Sequence, residues 1–149
     1  MLEAALQKID KSICCARAQD TPQLADLYAK QFRATGFKRC AAPENREELL
    51  VWIEHLCRDN KFWIIRDSLG PVTLGHYEPC FLEIKTIVTR DGMEGQGYGT
   101  RMLRALATAE PLAKVRPVTK SGEALARKCG FSPTDQDKSV WMLSNSGAG

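Results

Sequence analysis

No apolar run in the sequence approaches the ~18 residues that a membrane-spanning helix needs, which argues against such a helix. The first six residues also lack the basic segment and apolar core of a secretory signal. Lysine and arginine exceed aspartate and glutamate by only 21 to 18, and the basic residues are scattered, which argues against a nucleic-acid binder. We therefore expect a cytoplasmic protein with neither a membrane nor a nucleic acid as partner.

No C-x-x-C pair occurs among the six cysteines, and the sequence contains only two histidines. These spacings offer no chelating set for a metal, so no metal site is predicted. In a cytoplasmic protein the cysteines are expected to be reduced thiols instead of a disulfide framework. The cysteines are Cys14, Cys15, Cys40, Cys57, Cys80 and Cys129.

The 149 residues, 44% hydrophobic and 26% charged, predict one compact domain over 1–149. No internal repeat and no linker divides the chain. The last residues, 144–149, are small and polar and are expected to form a flexible tail.

Helical periodicity dominates the first part of the chain. After an expected strand over 12–17, Thr21 is predicted to cap a helix that ends at Gly36. A second helix is predicted after Asn45, because Glu48 stands three residues further on, as in a capping box.

Strand patterns follow, and two more helices lie among them. Apolar residues at helical spacing predict one helix that ends before Pro111. A last helix is predicted from Ser121 to Gly130, which is expected in the left-handed conformation. The strands are expected over 62–65, 72–77, 81–89, 114–119 and 139–143.

Three glycines, Gly95, Gly97 and Gly99, lie between the longest predicted strand and a helix. This arrangement surrounds a phosphate with backbone N–H groups and the positive end of a helix dipole. The loop lacks the Gly-Lys-Ser/Thr of a nucleotide-binding P-loop and the spacing of a dinucleotide loop. A tight turn without any ligand is the alternative interpretation.

Two segments, 82–103 and 124–131, resemble the signature regions of the GNAT superfamily of acetyl-CoA-dependent N-acetyltransferases. The first region there carries Arg/Gln-x-x-Gly-x-Gly/Ala, and here Glu94 stands at the leading position. The run 97–101, Gly-Tyr-Gly-Thr-Arg, is similar to the histone acetyltransferase branch. The resemblance implies an α/β fold: a central mixed, mostly antiparallel twisted sheet of about six to seven strands, flanked by about four helices.

The same resemblance implies acetyl-CoA as the acyl-donor cosubstrate. Its pantetheine arm is expected to pair with the strand backbone at Ile87, Val88 and Thr89. Its pyrophosphate is expected on the backbone amides of Glu94, Gly95, Gln96, Gly97, Tyr98, Gly99 and Thr100.

Acetyl transfer to an amine needs a base, a donor to the oxyanion and a proton for the departing thiolate. Glu83, 14 positions before Gly97, is the predicted base, since the histone acetyltransferase branch has a glutamate at that spacing. The alternative is a structural strand carboxylate paired with Lys85. The N–H of Val88 is the expected oxyanion donor.

The tyrosine that protonates the thiolate in many family members is missing, because Ala126 stands at its position. Tyr98, Tyr77, His76, Ser121 and solvent are the candidate substitutes.

The resemblance thus implies an N-acetyltransferase that acts by direct attack on a primary amine, either a protein lysine or N-terminus or a small amine. The alternatives are an inactive acyl-CoA-binding regulatory module, motivated by Glu94 and Ala126, and a small interaction protein. The acceptor is left open, and so is a homodimer.

Overall fold

The computed structural model describes residues 2–35 and 42–144. Within these residues the chain forms five α-helices: α1 (Leu2–Ile9), α2 (Thr21–Thr35), α3 (Arg46–Arg58), α4 (Tyr98–Ala109) and α5 (Lys120–Lys128). The strands are β1 (Ile13–Cys15), β2 (Phe62–Asp67), β3 (Gly70–Glu78), β4 (Glu83–Thr89), β5 (Lys114–Val115), β6 (Phe131–Pro133) and β7 (Trp141–Leu143). Short 3-10 turns at Ala18–Asp20 and Pro79–Phe81 lead into α2 and β4.

These strands form one sheet in the order β1-β2-β3-β4-β5-β7-β6. All neighbours run antiparallel except β4 and β5, which are parallel. Each face of the sheet has its own apolar core. One core is built on α1 and α4 and includes Leu6, Met102 and Leu106, and the other is built on α2 and α3 and includes Leu24 and Ile53. The expected mixed, mostly antiparallel sheet with helices on its faces is confirmed.

Several local expectations need correction. Neither α1, whose Leu6 is fully buried, nor the short strand β6 was predicted from the sequence. The cap of α5 is Thr119, whose Oγ1 accepts a hydrogen bond from the N–H of Gly122, instead of Ser121. The strand expected over 114–119 shortens to two residues, because only these pair with β7.

Other expectations hold or fall outside the described residues. Asn45 caps α3, since its Oδ1 accepts hydrogen bonds from the N–H groups of Glu47 and Glu48. Gly130 has a φ of 93°, the left-handed conformation expected after a helix. The predicted helix end at Gly36 and the tail at 145–149 lie outside the described residues.

β4 departs from a regular strand in two ways. Tyr77 on β3 faces Ile84, but His76 faces Thr86, so Lys85 is an extra residue that forms a β-bulge on β4. On its other side β4 pairs with β5 only at Glu83, opposite Lys114. Beyond this point the two parallel strands diverge, and the edge of β4 lies open along a cavity.

Candidate active site

The cavity between β4 and β5 has a volume of about 780 Å³. Residues from both cores line it, among them Tyr28 and Trp52 from α2 and α3, and Leu103 and Leu125 from α4 and α5. The cavity therefore passes through the gap in the sheet and opens toward both layers of helices. A long flexible ligand laid along β4 would reach both sides of the sheet.

The register of β3 and β4 shows which backbone groups face this cavity. The N–H of Arg90 donates to Val72 at 2.7 Å, so the hydrogen-bonded pairs continue with Leu74 and Val88. The backbone N–H and C=O groups of Val88 therefore bond to β3, while those of Ile87 and Thr89 point to the open edge. The expectation that the N–H of Val88 holds an oxyanion does not fit this register. Ile87 and Thr89 are the residues whose backbones can pair with a ligand.

The open edge of β4 leads directly into the glycine loop. Gly95 and Gly97 adopt φ angles of 79° and 88°, and a Cβ on either glycine would project into open space. Gly97 is the N-cap of α4 and provides no side-chain cap, so the first N–H groups of this helix point toward the loop. This geometry suits an anion such as a pyrophosphate. Gly99 differs, because a Cβ on this residue would lie within 4 Å of the side chains of Ile87 and Leu125.

Glu94 is neutralised within the structure. Its carboxylate binds the ammonium of Lys30 on α2 and accepts a hydrogen bond of 2.9 Å from the N–H of Gly92. The hydrogen bond from Lys30 lowers the pKa of Glu94 to about 2. Lys30 also contacts Asp91 at 3.0 Å and the carbonyl oxygen of Thr89 at 2.5 Å. A lysine from a distant helix thus supplies a cation beside Glu94, which stands where the sequence motif usually carries arginine or glutamine.

Glu83, the predicted base, is only 9% exposed and lines the cavity. It does not pair with Lys85, whose ammonium lies 5.5 Å from the ring centre of Phe81. The nearest cation is Arg116, whose Nε lies 3.6 Å from Oε1 of Glu83. This separation exceeds that of a hydrogen bond, so the carboxylate keeps its acceptor capacity. The alternative interpretation of Glu83 as half of a Lys85 pair is therefore wrong.

A buried polar network lies next to Glu83 on the same face of the sheet. Nδ1 of His76 lies 2.5 Å from the hydroxyl of Tyr28, and Nε2 lies 3.2 Å from Oε2 of Glu78. Lys61 binds the other oxygen of Glu78 at 3.0 Å. Glu78 is directly opposite Glu83 across β3 and β4, so the two carboxylates point to the same side.

The charges in this network determine the tautomer of His76. Burial lowers the pKa of His76 to about 4, although Glu78 opposes the shift, so the ring is neutral near pH 7. Burial alone would raise the pKa of Glu78, but hydrogen bonds with Lys61 and His76 outweigh it and the pKa lies below the ordinary value. The ionised Glu78 only accepts hydrogen bonds, so Nε2 of His76 carries the proton. Nδ1 therefore accepts a hydrogen bond from the hydroxyl of Tyr28.

Among the candidate thiolate acids, only His76 lines the cavity. Tyr77 is buried in the core on the α4 side, and Tyr98 begins α4 beside the guanidinium of Arg101. Ser121 is exposed in the first turn of α5, and Ala126 is 2% exposed and offers no proton.

Several polar residues of the cavity could not be predicted from the sequence, among them Tyr28, Glu78 and Arg116. By its spacing, Tyr28 belongs to the apolar face of a predicted helix. Glu78 comes directly before a proline, in a predicted turn. No local pattern marked them, since each joins the site through tertiary contacts.

Within 2–35 and 42–144, no three histidine, cysteine, aspartate or glutamate side chains lie together as a metal site. No helix in this part of the chain is long and apolar enough to cross a membrane.

The divergent parallel strands, the bulged β4 and the glycine loop together define a class of fold. No protein-family model matches the sequence, and no curated protein matches it significantly. Solved structures do match: the chain has the fold of the GNAT N-acetyltransferases.

Three of these structures cover most of both chains. An acetyltransferase of the GNAT family from Bacillus cereus is 14% identical, with a TM-score of 0.60 over 87% of this chain and 90% of the other. A predicted acetyltransferase with acetyl-CoA from Clostridium acetobutylicum is 20% identical, with a TM-score of 0.60 over 83% and 91%. PaiA N-acetyltransferase from Thermoplasma acidophilum, in complex with coenzyme A, is 14% identical, with a TM-score of 0.63 over 89% and 98%. At these identities the likeness shows the fold.

Proposed function

We propose that this protein is an acetyl-CoA-dependent N-acetyltransferase that acetylates a primary amine by direct attack, with Glu83 as the general base. The observation that carries the proposal is the continuous path from the glycine loop along the open edge of β4 to the buried, hydrogen-bond-free carboxylate of Glu83. Similar structures that contain coenzyme A or acetyl-CoA support the choice of donor.

The residues present fit such a donor. The backbones of Gly95, Gln96, Gly97, Tyr98, Gly99 and Thr100 surround the space at the N-terminus of α4 in which the pyrophosphate would lie. Ile87 and Thr89 offer the backbone groups that would pair with the pantetheine arm. Bound acetyl-CoA supplies a thioester, whose carbonyl carbon accepts the amine nitrogen while the bond to the thiolate breaks.

Glu83 prepares the amine for this attack. Its carboxylate takes a proton from the acceptor ammonium, which leaves the nitrogen with the lone pair that forms the new N–C bond. The nitrogen loses a second proton as the amide forms, and the thiolate takes up one proton. With Ala126 at the usual acid position and His76 neutral, water carries this proton to the thiolate. Burial of Glu83 strengthens its attraction for the cationic amine.

Two measurements test the proposal. Acetyl-CoA should raise the melting temperature, because a ligand that binds only the native state stabilises it. A broad panel of amines, followed by the release of free CoA thiol, should contain at least one acceptor that depends on the enzyme. Binding without turnover would favour the regulatory acyl-CoA-binding module, and no binding would refute both functions.

A further inference from the structure

We propose that the acceptor is a small amine with a carboxylate next to the reacting nitrogen, as in an amino acid, and that Arg116 binds this carboxylate while Glu83 binds the ammonium. The inference rests on the proposed acetyltransferase function and narrows its acceptor class. It makes Arg116 a specificity-determining residue.

The side chains of Glu83 and Arg116 both keep hydrogen-bonding capacity toward the cavity. Glu83 begins β4, and Arg116 directly follows β5, at the one point where these strands pair. Their charged groups lie 3.6 Å apart, beyond the 2.7–3.2 Å of an N–H···O hydrogen bond. Among the described residues, neither side chain makes a hydrogen bond, although both line the cavity. The Arg116 side chain is 36% exposed and that of Glu83 11%, so a ligand with both signs of charge can take the place of solvent on both groups.

The cavity has a surplus of positive charge. Its described lining contains three cations and two carboxylates. Lys61 is paired with Glu78 at 3.0 Å, which leaves Glu83 with the two cations Arg116 and Lys85. A polyamine or a lysine-rich peptide would bring more positive charge to this surplus. An acceptor with one ammonium and one carboxylate adds no net charge, and a guanidinium binds its carboxylate through two parallel hydrogen bonds.

An apolar rim lies beside these charges. Phe81 and Val118 line the cavity and are 60% and 40% exposed. Apolar side chains at a cavity mouth gain free energy when a ligand covers them. An amino acid with an apolar side chain would place this side chain on the rim while its two charged groups reach Arg116 and Glu83.

The test compares amino acids with their amides as acceptors in the thiol-release assay. The amide keeps the amine and the side chain but lacks the carboxylate, and its less basic amine deprotonates more easily. We expect apolar amino acids to be acetylated with a kcat/KM at least roughly tenfold above that of their amides, the scale of a charged hydrogen bond. Spermidine serves as the polyamine of the panel.

Arg116→Gln should raise the KM for the amino acid at least roughly tenfold and leave that for the amide unchanged, because only the amino acid loses a charged partner. Arg58→Gln is the matched control, since Arg58 is an exposed α3 residue paired with Glu54 outside the cavity. Circular dichroism and the melting temperature verify that both variants fold.

Binding gives a second readout that needs no turnover. In the presence of CoA, an N-acetyl amino acid should raise the melting temperature of the wild type more than that of Arg116→Gln. Equal use of acids and amides, a preference for spermidine, or an equal effect of Arg116→Gln on both substrates would overturn the inference and leave the acetyltransferase function intact. Absence of both CoA binding and thiol release would refute the proposed function as well.

Discussion

Lys30 on α2 binds the carboxylate of Glu94 in the glycine loop, 64 residues away along the chain. The same ammonium contacts Asp91 and the carbonyl oxygen of Thr89, the last residue of β4. One cation therefore binds two carboxylates at the rim of the proposed pyrophosphate site and offsets one of their two charges.

Lys30→Met should weaken acetyl-CoA binding by roughly fivefold, the scale of a partly exposed ion pair, because it leaves Asp91 and Glu94 uncompensated beside the phosphates. Titration calorimetry measures the Kd. The double variant Lys30→Met/Glu94→Gln should recover part of the affinity, and Lys8→Met on the exposed face of α1 should change nothing. An unchanged Kd in Lys30→Met would contradict a role for Lys30 at this site.

Gly97→Ala should abolish most acetyl-CoA binding, since its Cβ would occupy the space assigned to the pyrophosphate. Its left-handed backbone adds a stability cost of about 1–2 kcal/mol. Gly130→Ala is the matched control, because Gly130 has a φ of 93° at the end of α5, away from the loop. Both variants should unfold at lower urea concentrations, but only Gly97→Ala should lose the cosubstrate. Equal affinities in the two variants would refute the assignment of the loop.

Glu83→Gln should lower kcat roughly 100-fold or more, the usual contribution of a general base, and raise the KM of the amine. The KM for acetyl-CoA should stay the same, because Glu83 lies at the opposite end of β4 from the glycine loop. Steady-state kinetics at several pH values provide the measurement. Glu54→Gln, on the outer side of α3, is the control. A Glu83→Gln enzyme with the wild-type rate and pH profile would show that another group is the base.

His76 should make the protein less stable as the pH falls from about 6.5 to about 4. The unfolded chain binds a proton near the ordinary pKa of 6.5, whereas burial keeps the folded pKa at about 4. The unfolded state therefore binds more protons in this window, and about 3 kcal/mol of stability is lost across it.

Urea unfolding at pH 7 and pH 4.5 measures this loss, and His76→Gln should reduce it. The exposed His55, the other histidine of the sequence, provides the control variant His55→Gln. Unfolded Glu94 and Asp10 bind protons only near their ordinary pKa values of 4.5 and 3.8, and their contribution is the same in both variants and the wild type. The same loss of stability in both variants and the wild type would exclude His76 as its source.

Local patterns explain why much of the fold could be predicted. The strand, glycine loop and α4 follow one another in the chain, so glycine spacing and apolar periodicity are sufficient to recognise them. The cap of α3 is equally local. The prediction failed at α1 and β6, which are short and become stable only by packing on other elements.

The sequence by itself determined the class of fold, the loop at 94–100 and the candidacy of Glu83, because these depend on residue types at fixed short spacings. Only the tertiary structure decided the partners of these residues. Glu83 lies beside Arg116 instead of Lys85, and Lys30 reaches Glu94, because a bulge, a diverging strand pair and the packing of α2 bring distant segments together. The register of β3 and β4 likewise leaves the backbone groups of Ile87 and Thr89 at the open edge of β4. Such contacts arise from the packing of whole elements, and no spacing along the chain encodes them.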